Sequence, residues 1–125
     1  MIKFVFDENG DRTKEYSTND YQKDTLRTLR AGSYEDQCAN MCMGMCGEIG
    51  EVVDMMKKHI YQGKELDIND VIEEVGDVLW YLSNFCNINK ITLEECMYNN
   101  TMKLKKRYPN GFTVEDALAR VDKEQ

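Results

Sequence analysis

Glu48-Ile49-Gly50-Glu51-Val52-Val53 and Glu74-Val75-Gly76-Asp77-Val78-Leu79 are the stretches whose reading decides the fold. Each sets two acids three residues apart around a central glycine, and the two match position by position, like an internal repeat. Stepping ~100° per residue outward from the first, Cys38, Cys42, Met45, Ile49, Val52, Val53, Met56 and Ile60 fall within roughly 50° of one direction. The second sits in an equivalent stripe of Ile68, Val71, Ile72, Val75, Val78, Leu79, Leu82 and Cys86. Both stripes have the period of a helix with a core face. Gly50 and Gly76 each cost such a helix about 1 kcal/mol relative to Ala, which points to close helix approach at both.

Helix starts are marked by capping-box spacings at Ser17 with Asp20, Ser33 with Asp36, Thr92 with Glu95 and Thr113 with Asp116. Breaks fall at Gly32, Gly63, Asn87-Ile88-Asn89 and Pro109-Asn110-Gly111. Helices are therefore expected near 18–30, 34–61, 68–87, 92–108 and 114–122. Residues 1–16 read as a short β-hairpin around Asn9-Gly10, an extension to the helical unit, and 113–125 form a C-terminal helical extension. The class is all-α: one domain over 1–125, a helical bundle built on a long antiparallel helix hairpin. A single hairpin supplies half a bundle, so a homo-oligomer, dimer or tetramer, is expected to complete a four-helix-bundle-like assembly.

The formal net charge is −7, which sets a general nucleic-acid surface against repulsion from phosphates. A small phosphorylated substrate meets the same repulsion unless divalent cations bridge it. No apolar run approaches the ~18 residues of a membrane span, and the opening residues do not resemble a secretory signal. The 5 cysteines then read as reduced thiols in a cytoplasmic protein.

On their helical wheels Glu48 and Glu51 lie about 90° and 150° to one side of the first stripe, and Glu74 and Asp77 about 100° and 160° to the same side of the second. Folding the hairpin through about six connecting residues sets Glu51 and Asp77 each roughly 14 Å from the turn, and brings all the acids within a patch on the order of 10 Å. Asp54 is level with Glu74 but points to the other flank. Carboxylates this close raise one another's pKa unless a cation sits between them, and hard oxygen ligands suit Mg²⁺, with Mn²⁺ as the substitute. A solvated acidic face is the plain alternative.

With Glu48-Ile-Gly-Glu51 and Glu74-Val-Gly-Asp77 the chain resembles the MazG-type nucleotide pyrophosphohydrolases, whose signature is ExxE followed after a gap by ExxD. The resemblance runs from about Asp20 to Phe112. It includes Asp20-Tyr21-Gln22, Lys57-Lys58-His59, Asp77-Val78-Leu79-Trp80-Tyr81-Leu82 and the tail from Asn100 through Lys103, Leu104 and Arg107 to Pro109. It implies an all-α fold, Mg²⁺ held by Glu48, Glu51, Glu74 and Asp77, and hydrolysis of a nucleoside triphosphate to monophosphate and pyrophosphate.

On the fourth helix Asn100 shares the apolar stripe of Leu93, Cys96, Met97 and Leu104, and there needs either backbone partners or a substrate base or ribose. Lys103 and Arg107, one turn apart, either reach phosphate oxygens together or snorkel over the core edge. Tyr81 lies on the acidic flank and Trp80 on the far one, which makes Tyr81 either a substrate neighbour or core and rim packing, and Trp80 packing or a subunit contact. Gln22 joins Asn100 and Tyr81 as a nucleoside contact. Lys57 and Lys58 complement the C-terminal dipole of their helix, and Lys58 is taken also as a substrate contact. Cys38, Cys42 and Cys46 lack a fourth ligand for zinc. A di-iron bundle would need ExxH pairs that the one histidine, His59, does not make. A non-catalytic helical dimerisation module is the alternative of a different kind: it needs the helices but not the level alignment of the acids.

Overall fold

The computed structural model describes residues 16–123 together with Asn9, so the hairpin expected over 1–16 lies outside the described residues except at Asn9 and Tyr16. The described residues are helical: α1 Thr18–Thr25, α2 Tyr34–Gln62, α3 Ile68–Ile88, α4 Leu93–Arg107 and α5 Val114–Ala119, with 3₁₀ turns at Leu26–Thr28 and Val121–Lys123. Each start obeys local chemistry. Ser17 and Thr92 make complete capping boxes with Asp20 and Glu95, while Ser33 and Thr113 accept the N3 backbone N–H at their own helices. Asp67 caps α3 by accepting from Asn69 N–H. Gly63 ends α2 with φ 67°, the left-handed conformation that costs glycine least.

α2 and α3 form the expected antiparallel pair, and α1 lies across α3 and α4. A buried polar lattice bolts α1 down. The Gln22 side-chain amide donates to Asn87 Oδ1 at 3.0 Å and to the Ile91 carbonyl at 2.9 Å, and its oxygen accepts the Leu93 backbone N–H at 2.7 Å. Asn87 donates to the Gln22 carbonyl at 3.0 Å, and Asn84 to the Thr25 carbonyl at 3.1 Å. Saturated in this way, buried amides fix one geometry for α1.

The apolar stripes are used differently from the sequence expectation. Inside the hairpin Met41 is buried, Val52, Val71 and Val78 are half-buried, and the Tyr81 ring lies against Gly44. Ile49, Val53, Met56 and Ile60 of α2 and Ile68, Ile72, Val75 and Leu79 of α3 are exposed, Ile72 to 64%. Periodicity identified the apolar residues correctly, but two helices bury only the side that faces the other helix. α4 repeats the pattern: Leu93 is buried, while Met97, Asn100 and Leu104 are exposed.

Candidate metal centre

The hairpin carries its acids where the two helices meet. Glu48 and Glu74 are half-buried, Asp77 is exposed, and one carboxylate oxygen from each lies within 4.8 Å of the others. Among the described residues this is the group of three or more potential metal ligands that converges so closely. Glu51, one turn along α2 from Glu48, is exposed and outside that trio, yet its charge reaches Glu74. The Glu74 carboxyl is held above the usual range by desolvation first, then by its hydrogen bond to Glu48 and that residue's charge, then by Glu51 and Asp77. Crowded all-oxygen donors fit a hard divalent cation, which would relieve the repulsion among them.

The other sequence candidates divide. Tyr81 stands one turn beyond Asp77 with its ring over Gly44: a Cβ built there would lie 2.0 Å from the ring. Gly44 is therefore the glycine of close approach. At Gly50 and Gly76 an added Cβ would meet nothing within 4 Å, against the expectation of close packing there. Trp80 packs edge-on to Tyr81 at 4.9 Å and donates its indole N–H to Thr28 Oγ1 at 2.8 Å, the packing role expected of it. Lys58 is paired with Asp54 at 2.6 Å one turn back on α2, and feels Glu51 besides.

Three expectations on substrate contacts meet a different arrangement. Gln22 is only 6% exposed with its amide engaged in the α1 lattice, so it has no free group for a nucleoside. Arg107 grips Asp122 in a bidentate pair, Nε to Oδ1 at 2.6 Å and the terminal nitrogen to Oδ2 at 2.8 Å, with the Asp122 side chain 1% exposed. Its guanidinium is thereby committed to the C-terminal turn rather than to phosphate. Asn100 faces solvent, not the interior. Lys103 stands exposed beside it on α4.

One residue at this site had no role in the sequence reading. Tyr21, on α1, donates its hydroxyl to the carbonyl of Gly76 at 3.3 Å. Burial and then the charge of Asp77 push its phenol above the ordinary value. Nothing in sequence spacing connects residue 21 with residue 77, because the link is made by how α1 crosses α3.

The model of the MazG nucleotide pyrophosphohydrolase domain family matches residues 37–112, a segment that contains all four acids. The Gene 37 protein of Mycobacterium phage L5 is 34% identical over 74 residues, 55% of this chain and 64% of that protein. The chain thus spans a little under two thirds of the length of the curated relative it matches. No solved structure matches.

Proposed function

Because the chain belongs to the MazG nucleotide pyrophosphohydrolase family, we propose that it hydrolyses nucleoside triphosphates to monophosphate and pyrophosphate at a Mg²⁺-loaded cluster of Glu48, Glu51, Glu74 and Asp77. The observation that carries this reading is the convergence of Glu48, Glu74 and Asp77 across α2 and α3. Bound there, Mg²⁺, or Mn²⁺ in its place, supplies charge neutralisation for the triphosphate and polarises the α-phosphate. Glu48, Glu74 and Asp77 supply the converging oxygens, and Glu51 adds a fourth carboxylate from the next turn. Glu48 or Glu51 takes the proton of the attacking water as its oxygen bonds to the α-phosphorus and the bond to the leaving pyrophosphate breaks. Lys103 is the cation of the sequence reading that remains for the phosphates, with Lys58 joining it by exchanging its part-exposed pair with Asp54, whereas Arg107 is held by a buried carboxylate. Tyr81 and Asn100 are the groups left for the nucleoside.

The same reading takes the working form as at least a dimer, since the exposed Ile49, Val53, Ile60, Ile72 and Val75 make an apolar seam that a second hairpin would cover. No helix of the described residues is long and apolar enough to cross a membrane, and the cysteines are free, which supports a cytoplasmic setting. A purely structural dimerisation module would use the seam too, but it gives no reason for the acids to meet.

The reading is tested by hydrolysis in ¹⁸O-labelled water with Mg²⁺. Attack at the α-phosphorus puts the label in the monophosphate. Label in pyrophosphate, or in orthophosphate with the nucleoside diphosphate as co-product, would contradict it.

A further inference from the structure

α1 lies outside the matched segment 37–112, yet it delivers one side chain to the acidic cluster. The Tyr21 hydroxyl reaches across to α3 and donates to the carbonyl of Gly76, the peptide whose nitrogen belongs to Asp77. Its ring is buttressed from behind by Tyr16, edge-on at 6.5 Å, and Tyr16 is itself tied through its hydroxyl to Asp24 on the same helix. The neighbouring Gln22 and Thr25 are locked to Asn84 and Asn87 of α3, so the phenol has little freedom to move relative to that helix. At Gly76 itself no side chain fills the space: an added Cβ would touch nothing within 4 Å. The hydroxyl of Tyr21 is thus an external tie on the backbone from which Asp77 projects.

We infer that Tyr21 is a positioning residue for the metal centre, holding the Gly76–Asp77 peptide so that the Asp77 carboxylate meets those of Glu48 and Glu74. The inference rests on the acidic cluster being a divalent-cation site. It extends that site beyond the matched segment 37–112 to a residue of α1 whose hydroxyl bonds the backbone of α3. A neutral hydrogen bond of this kind, lost without loss of the ring, corresponds to about a three- to tenfold effect on an equilibrium it biases.

The test is Mn²⁺ binding to the full chain without nucleotide, read by the EPR signal of free Mn²⁺, for wild type, Tyr21→Phe and Thr28→Val. Thr28→Val removes the partner of the Trp80 indole, another tie between the α1 end and α3, and so reports on docking alone. Tyr21→Phe is expected to weaken Mn²⁺ about three- to tenfold. It raises the metal concentration for half-maximal rate by the same factor and leaves KM for the triphosphate unchanged at saturating metal. Thr28→Val is expected to bind Mn²⁺ as wild type does. Wild-type affinity in Tyr21→Phe, or an equal loss in Thr28→Val, overturns the positioning role. A wild-type protein that takes up no Mn²⁺ contradicts the metal centre itself, and the positioning role with it.

Discussion

Desolvation first, and then its acidic neighbours, raise the Glu74 carboxyl, and the direction of that shift has a thermodynamic sign. A carboxyl with a higher pKa folded than unfolded binds its proton more tightly in the native state. Metal-free stability therefore falls as pH rises from the ordinary glutamate range through the raised value, and the ionised form opposes folding above it. Glu74→Gln is expected to raise the thermal midpoint of the metal-free protein modestly at neutral pH. It is also expected to cut pyrophosphate release by at least about 100-fold, beyond the roughly 10- to 100-fold cost of losing an outer-shell partner. A calorimetric scan with chelator and a release assay read the two effects. Asp122 has the opposite sign: the hydrogen bonds from Arg107 hold its carboxyl below the usual range, so its contribution is full above that range and is lost as acid protonates it. In a double-mutant cycle, Arg107→Ala and Asp122→Ala are expected to lower stability by similar amounts and non-additively, with KM for the triphosphate unchanged. A rise in KM for Arg107→Ala alone would return that residue to the phosphates.

At the scale of elements, glycine positions separate packing from permissiveness. Gly44→Ala drives a methyl into the Tyr81 ring and is expected to destabilise by about 1–3 kcal/mol. Gly47→Ala meets nothing within 4 Å and is expected to gain about 0.5–1 kcal/mol from helix propensity, both read by urea unfolding. The long helices were legible from sequence nearly to the residue, α2 expected over 34–61 running Tyr34–Gln62 and α3 expected over 68–87 running Ile68–Ile88, whereas α1, expected to 30, ends at Thr25 with a 3₁₀ turn to Thr28, and α5, expected to 122, ends at Ala119 where Arg120 turns left-handed. Caps and glycine stops act within one turn, so a local reading captures them. The short connection let the sequence set Glu51 level with Asp77, with Glu48 and Glu74 one turn away on either side; the structure instead brings Glu48, Glu74 and Asp77 together and leaves Glu51 outside that trio. What escaped depends on distant partners. Gln22 looked like a nucleoside contact until Asn87 and Leu93 were seen to saturate it, and Arg107 like a phosphate ligand until the chain returned with Asp122. Gly44 carried no signal of its own, and Tyr21 only its place in Asp20-Tyr21-Gln22, since each acts through what another helix sets against it.

The described residues present a hairpin on which Glu48, Glu74 and Asp77 converge and along which apolar side chains are exposed. Val53 and Ile60 on α2 and Ile72 on α3 are each more than half exposed. Periodicity marked these residues as core, and a second copy would make them so. Light scattering is expected to give at least a dimeric mass at micromolar concentration, and Val53→Asp with Ile72→Asp to reduce it to that of one chain. A monomeric wild type would contradict this assembly. The proposed chemistry stands on the acids together with the family the chain belongs to. Its most direct measurement is pyrophosphate released from a panel of ribo- and deoxyribonucleoside triphosphates with Mg²⁺, by wild type and by Asp77→Asn. The account predicts pyrophosphate and monophosphate in equal amounts from at least one triphosphate, abolished by chelator and nearly so by the substitution. No release from any of them, or release undiminished in Asp77→Asn, would contradict it.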